Sequence, residues 1–260
     1  MSPAVIVSLI AAGIVLMVVA AFVAQTLENA RQERHRMVLT LQERARTGWE
    51  ILSDLPTAYL PEALRNCLLQ YIKSCYEQMQ TLEPKQQSAT AQAKLRNVEE
   101  ALHETYTSQL DSANPPFNDA VTGQAARSRV KAMVDLFVAA HQEGKLDRQA
   151  AQQLINRGKG IFELVNIDLN LINARKNEQS GNPKLALAHF NTCLKRLNKL
   201  NANGELEQRT ASVQRKVAQL QEEVKALQEG APASAAKQQA AQEWDEFTEE
   251  SNWQIKQDYD

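Results

Sequence analysis

Only three cysteines and four histidines occur in 260 residues. They are scattered, so neither a disulfide framework nor a cysteine–histidine metal site is expected. Nine glycines, eight prolines and an aromatic content of 5% are sparse for a turn-rich β-sandwich or a glycine-rich α/β enzyme. Twenty-nine Lys and Arg against thirty-one Asp and Glu leave a net charge of −2, without the basic excess that marks a nucleic-acid partner. Gly158 and Gly160 lack the preceding strand and third glycine of a phosphate-cradling loop. His35, His103, His141 and His189 each stand apart from any ligand or nucleophile at useful spacing, and read as solvated or core residues. No cofactor, no nucleic acid and no catalytic constellation are therefore expected, and an enzyme would need an active site assembled from distant helices.

What the chain does have is Ala, Leu, Gln, Glu, Lys and Arg, the residues that favour helix. The expected class is all-α: a single N-terminal transmembrane helix, a bundle of helical hairpins, a short coiled-coil-like helix and a disordered acidic tail. The run AVIVSLIAAGIVLMVVAAFVA at residues 4–24 carries no charge. At ~1.5 Å per residue it spans the ~30 Å hydrocarbon layer of a bilayer. Only Met1, Ser2 and Pro3 precede it, without the basic residues of a signal peptide, and Phe22 spoils a cleavage site after Ala24. An uncleaved anchor is expected. Arg31, Arg34, Arg36, Arg44 and Arg46 follow the run and none precedes it, which keeps that side cytoplasmic and leaves residues 1–3 outside, as in a bacterial inner membrane.

No breaker stands at the exit of the anchor, and Met37, Val38, Leu41, Ala45, Trp49 and Leu52 continue at helical spacing toward Pro56. A juxtamembrane helix over 25–55 follows, with Trp49 in an inter-helix contact. Pro61 opens an amphipathic helix bearing Leu64, Leu68, Tyr71, Ile72, Cys75, Met79 and Leu82 before Pro84. Further helices are predicted over 86–110 and 120–143, separated by SANPPFN. Gly144 closes the second, and Asp147 caps a long helix from Arg148 to about Gln179. RGKG at 157–160 marks a bend or a close helix approach within it. Residues 56–200 form the expected cytoplasmic helical domain.

Asn182 and Pro183 start the next helix, whose stripe is Leu187, Phe190, Leu194 and Leu197. The stretch GNPKLALAHFNTCL, with Gly181 at the turn, Ala186 and Cys193 in small slots and Phe190 between them, resembles the second half of a tetratricopeptide repeat. Ala174 matches a small position in the first helix, while Asn170, Asn173 and Asn177 depart from the family pattern. The resemblance covers about residues 167–198, with no second copy 34 residues away, and implies a protein-binding helical hairpin whose groove takes a peptide or lipid.

Over 203–229 a stricter period sets Leu206, Val213, Leu220 and Leu227 seven apart, with Val217 and Val224 between them and Thr210 as the polar lapse. Such a seam joins two copies into a homodimer or lies against the protein's own hairpin. Residues 230–260 read as a flexible acidic tail. The last eighteen residues hold seven acidic side chains and one lysine, a charge of −6, together with Trp244, Phe247, Trp253, Ile255 and Tyr259. Aromatics in so acidic a segment favour a peptide that docks on a partner. The expectation is a membrane-anchored scaffold or adaptor that binds proteins whose identity is open.

Overall fold

The computed structural model describes the backbone of residues 3–82 and 88–230, with side chains described from residue 16 onward except residues 18, 88, 89 and 230. The described residues form seven helices and no strand: α1 (Pro3–Asp54), α2 (Glu62–Leu82), α3 (Ser88–His103), α4 (Ala120–Gln142), α5 (Arg148–Gln179), α6 (Pro183–Leu200) and α7 (Glu207–Gly230). A single 3-10 turn, Thr57–Tyr59, precedes α2. The described residues form two compact units, one drawn from residues 3–49, 66–82 and 88–105, the other from residues 50–65 and 106–230. The helices of the expected 56–200 domain are thus shared between them.

In the first unit, Leu41 and Ala45 of α1, Leu68, Ile72, Cys75 and Met79 of α2, and Ala91 and Val98 of α3 are buried. Lys73 and Glu99 pair across α2 and α3 at 2.8 Å, and the Lys94 ammonium lies 5.7 Å from the Tyr76 ring centre. Trp49 meets the Tyr76 hydroxyl as a hydrogen-bond partner, which is the inter-helix contact expected of it. Helix α3 stops at His103, short of the predicted Leu110. Beyond it, TYTS carries β-branched and hydroxyl residues that favour side-chain bonding over helix propagation. In the second unit, the Tyr106 hydroxyl donates to the Leu60 carbonyl at 2.6 Å, and Ser108 donates to the Thr57 carbonyl.

Helices α4 to α7 pack in sequence, α4 on α5, α5 on α6 and α6 on α7. The short connections 143–147, 180–182 and 201–206 dictate antiparallel neighbours. Each stop has a chemical cause. Gly144 and Gly181 take φ of 71° and 78°, the left-handed region where a glycine closes a helix without a Cβ penalty. Asp119 and Asp147 accept from the backbone N–H of Thr122 and Ala150 at 2.8 and 2.9 Å, capping α4 and α5. Asn182 makes no side-chain cap; α6 starts on Pro183 instead.

Helix α5 runs unbroken through 157–160, and of the two glycines there Gly158 serves close approach of the neighbouring helix. A Cβ on Gly158 would lie 2.6 Å from Cγ2 of Val134 on α4, whereas one on Gly160 would meet only Leu200 at 3.7 Å. Ala174, Ala186, Phe190, Cys193 and Leu197 are buried between α5, α6 and their neighbours, as the small–aromatic spacing requires. Arg129 of α4 forks onto Glu50 at 2.9 Å and Asp54 at 2.7 Å near the end of α1.

Candidate functional site

Two charged side chains lie on apolar helix faces. Asp168 follows Leu164 by four residues and precedes Leu171 by three on α5; Arg209 stands three after Leu206 and four before Val213 at the start of α7. Helical period turns both inward, and neither side chain retains any solvent exposure. Arg209 Nη1 donates to Asp168 Oδ2 at 2.6 Å, and the Tyr59 hydroxyl donates to the same oxygen at 2.5 Å. The rest of the guanidinium is satisfied by the turn before α4. Nε donates to the Ser112 carbonyl at 2.9 Å, and Nη2 donates to Ser112 Oγ at 2.7 Å and to the Asn114 carbonyl at 3.2 Å. Asp111 Oδ1 accepts from the backbone N–H of Gln208 at 2.9 Å, placing a carboxylate at the positive end of α7. Tyr59 also stacks obliquely on Phe117, ring centres 5.9 Å apart.

Burial governs the protonation of this cluster. Asp168 is pushed up to about 6 by loss of hydration, although Arg209, Tyr59 and Arg175 each act to lower it. The Tyr59 phenol is pushed far above its ordinary value by burial and then by the neighbouring carboxylate. Asp168 Oδ1 has no hydrogen-bond partner among the described residues. A carboxyl near neutrality beside a phenol and a guanidinium has the parts of an acid–base site. A substrate, however, would have to open the fold to reach atoms with no exposed surface. The arrangement acts as an internal clasp on the 3-10 turn, the 111–114 turn, α5 and α7.

An open cleft of about 680 Å³ lies beside this clasp. Arg175 and Glu178 of α5 and Arg215 and Lys216 of α7 line it, over a floor that includes Leu171, Phe190 and Val213. Lys216 Nζ pairs with Glu178 Oε1 at 2.5 Å. Arg175 donates instead to the amide oxygen of Asn114 at 2.8 Å, and Arg215 to the Ala211 carbonyl at 3.4 Å. Asn173 and Asn177, where the tetratricopeptide resemblance would put a groove, are absent from the residues that line the cleft.

The residues singled out from the sequence fall in three places. Arg31, Arg34 and Arg36 are exposed on α1. Leu206, Val213, Val217, Leu220 and Val224 are buried within the single chain, Leu220 completely, while Leu227 remains 53% exposed. Within the single chain these positions are covered by its own helices, α7 packing on α6, and Arg209 rather than the neighbouring Thr210 is the polar residue at the start of α7 that enters the core. Thr210 bonds back to the Leu206 carbonyl at 2.7 Å. Trp244, Phe247, Trp253, Ile255 and Tyr259 lie outside the described residues.

Among the described residues no helix is long and apolar enough to cross a membrane; the side chains of residues 4–15 and 18 fall outside that description. Nor do the described residues include a group of three or more His, Cys, Asp or Glu placed to hold a metal ion. His141 Nδ1 lies 3.0 Å from the Leu146 carbonyl, in the turn after α4. Burial pushes the Cys67 thiol up to about 11 and the Cys193 thiol up to about 12, opposite to the shift a nucleophilic thiol needs. No family model, curated protein or solved structure matches this chain.

Proposed function

We propose that the chain is a membrane-tethered helical adaptor: residues 4–24 anchor it in a bilayer, and its C-terminal helices engage other proteins on the cytoplasmic side. The observation that carries the anchor is the bare apolar surface on α1. Leu16, Met17, Phe22 and Leu27 are between 57% and 72% exposed. At 100° per residue these four positions, with Val19 at 54% and Val23 at 48% and the exposed Ala20, Ala21 and Ala24, cover about 260° of the helix circumference, far wider than one amphipathic stripe. A helix that is apolar over so wide an arc and so exposed is suited to hydrocarbon. The exposed Arg31, Arg34 and Arg36 would then stand at the inner headgroups.

The experiment is extraction and topology on the full chain. Membranes washed at alkaline pH retain the protein, and a reporter joined after Asp260 is active in the cytosol. Release of the intact chain by the wash, or an exported reporter, overturns the tether or its orientation. A tetratricopeptide-like binding module is the second reading. It is favoured by one observation, the burial of Ala174, Ala186, Phe190 and Cys193 at the small and aromatic positions of the α5–α6 hairpin.

A further inference from the structure

The cleft beside the clasp carries charge that its own walls leave unmatched. Of its three cations, only Lys216 is paired with a carboxylate among the described residues. Arg175 and Arg215 instead face neutral oxygens. Both guanidiniums keep donors for a further acceptor, since a guanidinium has five. The helix that supplies Arg215 and Lys216 is also the one from which the acidic end of the chain departs: α7 finishes at Gly230, and residues 243–260 carry a charge of −6.

From these facts we infer that the cleft is a receptor for acidic peptide and that its resident occupant is the chain's own segment Glu243–Asp260. The reach is right. Lys216 lies fourteen residues before Gly230 on α7, a return distance of about 21 Å at ~1.5 Å per residue. The connector 231–242 has twelve residues, six of them Ala and three Gln, a contour of about 40 Å at ~3.3 Å per residue, more than the distance to be bridged. A tether long enough to bridge that distance holds its end at a raised effective concentration at the site. Carboxylates of Glu243, Asp245, Glu246, Glu249 and Glu250 then meet Arg175 and Arg215, for which planar, two-pronged contact is the favoured geometry. An external acidic partner would bind only by displacing the tail, so the same segment sets a threshold for partner capture. None of this depends on whether residues 4–24 enter a bilayer.

Zero-length carbodiimide cross-linking of the full chain, read by mass spectrometry, tests the inference, because the reagent joins only a lysine and a carboxylate in direct contact. A Lys216 cross-link to a carboxylate of residues 243–260 is expected at low salt. It falls at least five-fold at 0.5 M salt, and equally in Arg175→Gln/Arg215→Gln. The Lys216–Glu178 and Lys73–Glu99 cross-links persist in that variant and report that both units remain folded. Mixing heavy-isotope and ordinary chains yields only unmixed pairs if the tail returns to its own cleft. Absence of the tail cross-link while the two internal ones form, or its survival unchanged in the double variant, overturns the site. Heavy–light pairs at the statistical proportion overturn the resident occupant and give the cleft to the tail of a second copy.

Discussion

Replacing Arg209 by Met probes the clasp directly. The substitution keeps an unbranched stem as far as the position of Nε but removes four donated contacts: one to Asp168, two to Ser112 and one to Asn114. Removing one member of a buried ion pair costs about 3–5 kcal/mol, because the remaining charge is left uncompensated. Here the remaining charge can escape by taking a proton, which makes the cost depend on pH. Asp168 already sits near 6 with the guanidinium present, and Arg209 is the strongest influence holding it down; without Arg209 it rises further. A carboxyl raised in the folded state binds more protons there than in the unfolded chain, so its contribution to stability falls as pH rises through that window and is level above it. In the natural chain the fall ends near pH 6; in Arg209→Met it continues past neutrality. The gap between the two proteins therefore widens above pH 6, by at most about 1.4 kcal/mol per pH unit. Hydrogen exchange of the α5 and α7 amides, corrected for intrinsic rate, reads this locally at pH 5 and pH 8 in the full chain. A loss of less than about 1 kcal/mol, or one equal at the two pH values, refutes a buried ionic clasp. Replacing the group together, Asp168→Leu with Arg209→Met and Tyr59→Phe, recovers part of the loss, since neither a carboxyl nor a phenol is then left in the core, while the Ser112 and Asn114 oxygens still lose their donor.

Alanine at the two glycines of α5 acts in opposite directions. Gly158→Ala drives its Cβ against the stiff side chain of Val134 and lowers stability by about 1–2 kcal/mol, overpacking outweighing helix propensity. Gly160→Ala meets only ordinary contact and gains up to about 1 kcal/mol; thermal unfolding of both variants checks the pair, and shifts of the same sign refute the packing. Iodoacetamide labels the native chain slowly, Cys67 first, because Cys75 and Cys193 are buried; rapid labelling of Cys193 would refute that burial. Leu220→Cys forms no disulfide between copies, since Leu220 has no exposed surface. An interchain disulfide there, seen on a non-reducing gel, would show α7 leaving its place.

The helices were legible because their signals are local. Proline at 61 and 183, aspartate at 147 and glycine at 144 and 181 each act on the few residues beside them, and the structure uses each of these as a boundary. The extension of the third helix to Leu110 failed because apolar spacing alone carried it; Tyr106 and Leu110 kept the period while the residues between them favoured bonds to a distant turn. The clasp was missed for a different reason. Asp168 and Arg209 are forty-one positions apart, and a charge on a helix looks solvated until its neighbours at three and four residues are weighed. Both stand between leucine or valine at that spacing, and they have opposite sign. That pairing was a readable signal, whereas Tyr59 as the third member depends on the path of the chain and had none.

The placement of the clasp bears on how α7 chooses its partner. Leucine and valine every three or four residues will accept any helix with a matching stripe, so a seam of this length does not by itself distinguish a second copy from α6. Arg209 removes the degeneracy. It stands at the first turn of α7 and finds its counter-charge on α5 and its carbonyl acceptors at Ser112 and Asn114, groups that a second α7 does not carry. Docking α7 anywhere else would take Arg209 from this set and leave Asp168 in a site already too dry for it. The desolvation that makes the pair a weak source of stability is what makes the alternative expensive. A polar group of this kind specifies register at the end where the helix begins, after which the apolar positions from Val213 to Val224 follow in order. The same fixing of α7 holds Arg215 and Lys216 opposite Arg175 and Glu178, so the core arrangement that settles helix pairing also shapes the basic cleft beside it.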